Sequence, residues 1–117
     1  MKLNIMIMSG LDDGLRLSYS DENEDGTWDE SKSIWKISVG RREDSDLCLL
    51  NDTFVSRLHA HIVWEQDQWW LEDCESTNGT FIENTDTDLR VSGTIPVQAG
   101  QLFRIGHTWM RIEEEVE

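Results

Sequence analysis

Three short stretches of this 117-residue sequence carry the side chains that could do chemistry. They are Gly40-Arg41, then Ser56-Arg57-Leu58-His59, and then Ser76-Thr77-Asn78-Gly79-Thr80. Arginine presents a planar fork of donors that matches the oxygens of a phosphate. Serine, threonine and asparagine add short hydroxyl and amide donors. Donors of these types, brought to one place, would bind a phosphate group.

The elements around these stretches must bring them together. Apolar and polar residues alternate along most of the chain, for example at Trp35, Ile37 and Val39 and again at Met110 and Ile112. A period of two is typical of half-buried strands, and glycine-containing turn pairs separate the runs. No amphipathic helix of useful length is present. The pattern predicts an all-β sandwich with about ten strands.

Each of the three stretches lies at the end of one of these alternating runs. In a sandwich, the loops that join strands gather at the two ends of the sheets. Loops that are far apart in the sequence can therefore converge at one end. We expect the arginines, hydroxyls and amide to meet there.

The motifs GR, SRLH and STNGT, in this order and with alternating strands between them, resemble the signature of forkhead-associated (FHA) domains, which bind phosphothreonine peptides. LED before STNGTF, and the segment 97–112, are similar to further strands of that family. One GR alone would carry no information, but the ordered set is specific. The resemblance extends over residues 3–112. It implies a SMAD/FHA-like β-sandwich of about eleven strands, largely antiparallel, forming a single domain over residues 1–117.

The resemblance also implies roles for individual residues. Five would bind the phosphopeptide: Arg41, Ser56, Arg57, Thr77 and Asn78. Ser56 and Arg57 would hold the phosphate, and Asn78 would hydrogen-bond the peptide backbone. Arg41 would contact the peptide from its own loop, and Thr77 would line the pocket. Three further residues would support the site by bracing the loops: Gly40, His59 and Gly79.

The chain has two strongly acidic segments, and the first lengthens a loop that is usually shorter in the family. Residues 20–33, SDENEDGTWDESKS, form an insertion that we interpret as a solvated, mobile loop. Trp28 within it has two interpretations, a side chain folded back onto the edge of the sandwich or an anchor for a partner. The tail 113–117, EEEVE, predicts a frayed end.

Composition limits the class of partner and the compartment. Ten basic residues against 24 acidic ones give a net charge of −14, which argues against nucleic acid and against an anionic membrane. No apolar run approaches the roughly 18 residues of a spanning helix, and no signal-peptide pattern is present. Cys48 and Cys74 are interpreted as reduced thiols. These features predict a cytoplasmic protein.

Enzymatic and metal-binding alternatives find little support. Ser56, His59, His61 and Asp73 could form a triad, but no nucleophile-elbow glycines flank the serine. A zinc site drawn from both cysteines, His61 and His107 matches no usual spacing. We therefore predict no enzyme activity, no metal and no cofactor.

Two binding functions remain open. The first is a signalling module that recognises phosphothreonine on a partner protein, with a Ser/Thr kinase or its substrate as the candidate partner. The alternative is an FHA-fold scaffold domain that binds an unphosphorylated partner. The presence of both Arg41 and Ser56 favours the first. We expect the isolated domain to be a monomer.

Overall fold

The computed structural model describes residues 1–84 and 87–114. Within these ranges the chain forms twelve strands: β1 (Lys2–Ile7), β2 (Arg16–Ser20), β3 (Thr27–Asp29), β4 (Ile34–Gly40), β5 (Leu47–Cys48), β6 (Ala60–Glu65), β7 (Gln68–Asp73), β8 (Thr80–Ile82), β9 (Leu89–Arg90), β10 (Thr94–Pro96), β11 (Leu102–Ile105) and β12 (Thr108–Glu113). Two short 3₁₀ turns, Gly10–Asp12 and Asp21–Asn23, are the helical elements of the described ranges. No helix in the described part of the chain has the length and apolar character needed to cross a membrane.

The strands form two sheets of six strands each. Sheet A has the order β2-β1-β12-β11-β8-β9. Sheet B has the order β10-β7-β6-β4-β3, with β5 paired in parallel to β4. The other strand pairs of the described chain are antiparallel. The predicted all-β, largely antiparallel sandwich is therefore confirmed.

The core lies between the sheets and is built from every second residue of each strand. Trp35, Ile37 and Val39 on β4 are all 0% exposed, and their intervening neighbours are partly exposed. Phe103 and Ile105 fill the corresponding positions of sheet A. The period-two pattern thus identified the inward faces correctly, because in a strand alternate side chains point to opposite sides.

The acidic segment 20–33 is more ordered than the interpretation as a mobile loop allowed. It contains β3, which pairs with β4 and places Trp28 opposite Trp35. Tertiary contacts hold it in place: the Trp35 indole N–H donates to the carbonyl of Asp25 at 2.9 Å, and the amide of Gly26 donates to Asp46 at 3.1 Å. Composition alone pointed to disorder because it does not report these contacts with β4 and with the loop before β5.

Trp28 lies on the edge strand of sheet B and is 43% exposed. At the other acidic segment, the prediction of a frayed end is wrong for Glu113, which belongs to β12 and pairs with Asn4. Residues 115–117 lie outside the described residues. Cys48 and Cys74 are both free thiols, as predicted.

Candidate functional site

Three loops meet at one end of the sandwich, and we call this end the loop pole. It consists of the loop between β4 and β5 (41–46), the loop between β5 and β6 (49–59) and the turn between β7 and β8 (74–79). The Arg41 amide donates to the Ser56 carbonyl at 3.1 Å. The Thr77 amide donates to the Ser56 hydroxyl at 3.2 Å. The expected convergence of distant stretches is therefore present.

His59 connects two of these loops from below. It is 0% exposed, its Nδ1 accepts from the Ser56 amide at 3.0 Å, and its Nε2 lies 2.9 Å from the Gly79 carbonyl. Because Nδ1 accepts, the ring proton sits on Nε2 and donates to that carbonyl. Burial lowers the pKa of His59 below its ordinary value, although the bond to Gly79 opposes the shift. The neutral imidazole thus fixes the spacing between the loop that carries Ser56 (49–59), which we call the serine loop, and the turn that carries Asn78 (74–79).

Two glycines allow the loops to approach closely. A side chain at Gly40 would overlap the carbonyl group of Arg57, so the end of β4 can touch the serine loop only without one. Gly79 has a φ of +89°, and a Cβ there would lie 2.8 Å from the Phe81 ring and 3.1 Å from Nε of Arg90. Both positions therefore require glycine for steric reasons.

Asp73 organises the turn that carries Thr77 and Asn78. Its Oδ1 accepts from the hydroxyls of Ser76 at 2.6 Å and Thr80 at 2.8 Å. The Ser76 hydroxyl in turn accepts from the Gly79 amide at 3.1 Å. The sequence analysis did not identify this role. The spacing of an aspartate three residues before a serine, which is typical of side-chain-stabilised turns, could have indicated it.

Asp52 anchors the serine loop from the other side. Its Oδ2 accepts from the amide of His107 at 2.8 Å and the hydroxyl of Thr108 at 2.7 Å, and its Oδ1 accepts from the amide of Phe54 at 3.0 Å. These bonds attach the loop to the turn between β11 and β12. This link could not be predicted from the sequence, because the partners are more than 50 residues away.

The guanidinium groups of Arg41 and Arg57 differ from the paired cations elsewhere. Both side chains are exposed, and neither guanidinium has a hydrogen-bond or ion-pair partner among the described residues. By contrast, Arg42 pairs with Asp44 at 2.8 Å. Because neither arginine has a partner among the described residues, an anion can bind to them without first breaking an existing contact.

Asn78 has a partner of its own within the chain. Its side-chain amide nitrogen donates to the Phe54 carbonyl at 3.0 Å. Its Oδ1 accepts no hydrogen bond from the residues that the structure describes, and the residue is exposed. The amide group that was expected to bond a peptide backbone therefore has its acceptor available, while its donor positions the serine loop.

An apolar cavity of about 270 Å³ adjoins the serine loop. Phe54 forms one wall, and its ring stacks on His107 with centroids 3.9 Å apart. Leu11, which is 93% exposed, lies at the cavity from the turn after β1. The period-two pattern could not reveal this cavity, because it is assembled from three separate loops.

The imagined Ser-His-Asp arrangement is not formed. His59 accepts from the backbone amide of Ser56, and the Ser56 hydroxyl meets the Thr77 amide instead of the imidazole. His61 lies on β6, with its Nδ1 2.9 Å from Glu72. The geometry of a hydroxyl activated by a histidine is therefore lacking at Ser56.

Comparison with known proteins places the fold and motifs in a family. The family profile named FHA domain matches residues 37–106. The FHA domain-containing protein FhaB of Mycobacterium tuberculosis is 35% identical over 72 residues, which is 62% of this chain and 43% of FhaB. The chain thus spans less than half the length of this relative.

Two solved structures show the same architecture. One, from a structural and functional study of phosphothreonine-dependent FHA domain interactions, has a TM-score of 0.70 and 23% identity and covers 100% of both chains. The other is Mycobacterium tuberculosis EmbR in complex with a low-affinity phosphopeptide, with a TM-score of 0.68 and 20% identity over 96% of this chain and 24% of EmbR. FHA domains are generally binding modules without enzyme activity. By its matching profile, which spans more than half of its residues, this chain belongs to the FHA domain family.

Proposed function

We propose that this chain is a phosphopeptide-binding module that recognises phosphothreonine on a partner protein through the loop pole. The observation that carries the proposal is that Arg41 and Arg57, whose guanidinium groups have no partner among the described residues, lie on loops that meet at Ser56. The loops that present them are fixed by internal hydrogen bonds through His59. A fixed frame with free donors suits a ligand that brings several acceptor oxygens.

The donors of the loop pole are available to form hydrogen bonds with a phosphate. A phosphothreonine carries about 1.5 to 2 negative charges at neutral pH and three acceptor oxygens. The Ser56 oxygen accepts from the Thr77 amide, which leaves its own O–H free to donate to the phosphate. Arg57 and Arg41 add charge-assisted bonds, and the exposed Thr77 hydroxyl adds another donor.

The rest of a bound peptide has complementary groups nearby. The free Oδ1 of Asn78 can accept from a peptide amide beside the phosphothreonine. The cavity walled by Phe54 and His107 can receive an apolar peptide side chain.

The net charge of −14 does not prevent binding. Two unit charges about 4 Å apart near a surface interact by about 4 kcal/mol at an effective dielectric of roughly 20. The same charges about 20 Å apart in water interact by about 0.2 kcal/mol, and salt with a Debye length of roughly 8 Å removes most of that. Two arginines in contact therefore outweigh a diffuse acidic surface.

The comparisons support the same function and define the partner class. EmbR holds a phosphopeptide, and the other solved relative comes from work on phosphothreonine-dependent interactions. By analogy, the partner is a phosphothreonine-containing protein, such as a Ser/Thr kinase or its substrate. The chain acts as one monomeric, non-catalytic domain in the cytoplasm.

The alternative is a scaffold domain that binds an unphosphorylated partner. The exposed apolar side chains Leu11, Phe54 and Leu58 at or near the loop pole would then form the contact. That function leaves Arg41 and Arg57 without a role. It also predicts that a phosphate on the partner makes no difference.

A degenerate peptide library distinguishes the two functions. Immobilised phosphothreonine peptides and their unphosphorylated counterparts are incubated with the protein, and bound protein is quantified. The proposed function predicts retention by the phosphorylated library and loss of retention in Ser56→Ala. Equal retention by both libraries would support the scaffold.

A further inference from the structure

A second cluster of reactive side chains lies on the outer face of sheet B, and its cysteine begins the 74–79 turn of the loop pole. It consists of His61 on β6, Glu72 on β7 and Cys74 directly after β7, and we call it the β6–β7 cluster. The Nδ1 of His61 lies 2.9 Å from Oε1 of Glu72 and 3.3 Å from Sγ of Cys74. The three potential ligand atoms all lie within 4.8 Å of one another.

The antiparallel register explains why these residues meet. His61 and Glu72 are direct cross-strand partners. Cys74 follows Glu72 by two residues, so its side chain emerges on the same face of the sheet. No sequence spacing typical of zinc sites exists because the ligands come from neighbouring strands. Cys48 and His107, which the sequence analysis considered with His61 and Cys74, do not belong to the cluster.

We propose that the β6–β7 cluster binds a zinc ion through His61, Glu72 and Cys74, with water in the fourth position. Imidazole nitrogen, thiolate sulfur and carboxylate oxygen form a donor set that suits Zn²⁺ and not the hard cations Mg²⁺ and Ca²⁺. This site departs from the sequence-based expectation of no metal and does not depend on phosphopeptide binding.

Two of the three distances between ligand atoms are close to those around a tetrahedral ion. Zinc bonds of about 2.0–2.1 Å to nitrogen and about 2.3 Å to sulfur, at a tetrahedral angle, separate the two ligand atoms by about 3.5 Å. The observed 3.3 Å between His61 and Cys74 is close to that value. His61 and Glu72, at 2.9 Å, need to separate by only a few tenths of an ångström. Binding releases the Cys74 thiol proton to solvent as the thiolate–zinc bond forms.

The surroundings hold the ligands but leave the site accessible. The side chains of His61 and Glu72 are 21% and 31% exposed, so an ion can enter from solvent. Both residues belong to paired strands, which fixes their backbones before binding. The Cys74 amide donates to the His59 carbonyl at 2.9 Å, so an ion here would stabilise the root of the 74–79 turn.

Lys36 is the one cation that an ion would have to displace among the described residues of the cluster. Its Nζ lies 3.6 Å from Oε1 of Glu72, and the side chain is 40% exposed. A long exposed lysine can turn into solvent at little cost. Its charge opposes a divalent ion, so removal of that charge must tighten zinc binding.

Cobalt and zinc titration tests the proposal. The full chain, without added histidines and stripped of metal by a chelator, is titrated with Co²⁺ and then with Zn²⁺. We expect one equivalent of Co²⁺ to give a thiolate-to-metal charge-transfer band that Zn²⁺ abolishes. Zinc should also raise the melting temperature, because it binds only the folded chain in this arrangement.

Matched variants assign the ligands. Cys74→Ser should remove the band and weaken zinc binding by at least about 100-fold, whereas Cys48→Ser, at the exposed cysteine, should retain both. Lys36→Gln should tighten binding severalfold. His61→Asn and Glu72→Gln give the same test if Cys74→Ser fails to fold. A band that persists in Cys74→Ser, a band lost in Cys48→Ser, or no stoichiometric binding would overturn the proposal.

Discussion

On the outer face of sheet A, Arg104 lies over the rings of Phe81 and Trp109, with its Cζ 4.2 Å and 5.6 Å from their centroids. At the loop pole, the guanidinium groups of Arg41 and Arg57 have no such partner among the described residues. The arginine on the sheet stabilises its own surroundings, and moving it would break those contacts. The arginines at the pole hold nothing in place.

The backbones of the loops at the pole, unlike the arginine side chains, are held by hydrogen bonds. At the loop pole, His59 ties the Ser56 amide to the Gly79 carbonyl, and Asp52 ties the serine loop to the turn after β11. The loops are therefore fixed while the charged ends of their side chains are free. This division between a fixed frame and free donors is what binding a multivalent anion requires, because little entropy is lost when the ligand arrives.

The largest effect should come from breaking the frame. His59→Ala leaves the partly buried Ser56 amide and the buried Gly79 carbonyl without these partners and opens a cavity, so we expect a loss of about 2–4 kcal/mol in the free energy of unfolding. Urea denaturation measures it. The exposed His107→Ala is the control and should cost less than about 1 kcal/mol. Equal losses in the two variants would show that His59 is no brace.

Removal of the Arg57 guanidinium should weaken phosphopeptide binding and leave the free energy of unfolding nearly unchanged. Arg57→Ala deletes a charge-assisted bond worth about 1.5–3 kcal/mol and should weaken phosphopeptide binding by about 10- to 150-fold. Its free energy of unfolding should change by less than about 0.5 kcal/mol. Arg42→Ala, at the arginine that pairs with Asp44, should leave the affinity unchanged. Calorimetric titration and urea denaturation of both variants measure these effects.

The dependence of stability on pH should show that His59 is neutral in the folded chain. Burial lowers the pKa of His59 in the folded chain below its ordinary value of 6.5, so the unfolded chain takes up the proton first. The stability that neutral His59 contributes is therefore complete above pH 6.5 and declines as the pH falls below it. Unfolding free energies at pH 7.5 and 5.5 should show this fall in the wild type and a smaller one in His59→Gln. An identical fall in both would exclude His59 as the cause.

The smallest effect concerns salt. Because the surface carries a net charge of −14, it should slow the approach of a doubly charged phosphopeptide. Moderate added salt screens that repulsion and should raise the association rate. Stopped-flow fluorescence measures the rate. A steep fall of the association rate with salt would mean that the local arginines, and not the acidic surface, control the encounter.

Most of the sandwich could be predicted from the sequence, because a half-buried strand shows a local alternation of apolar and polar residues. Trp35, Ile37 and Val39 show this directly, since period two identified their inward face. It failed at residues 20–33, where β3 forms despite an acidic composition. There, pairing with the next strand, β4, overrides the local preference of the acidic sequence.

The candidate site likewise contains residues that could be predicted from the sequence and residues that could not. The motifs predicted that Arg41, Ser56 and Thr77 lie close together, and the structure brings them into contact. The roles of Asp52 and Asp73 as anchors were missed. Their partners are defined by folded geometry: the Asp52 carboxylate bonds a turn that lies more than 50 residues further along the chain. A single sequence has no means of indicating such a pair.

The most direct test of phosphothreonine recognition is an NMR titration of the ¹⁵N-labelled chain with a phosphothreonine peptide selected from the library, alongside the same peptide without phosphate. We expect the phosphorylated peptide to shift the backbone amides of Arg41, Ser56, Arg57, Thr77 and Asn78 and the unphosphorylated peptide to leave them in place. The same shifts with both peptides, or shifts confined to the sheet faces, would contradict the account.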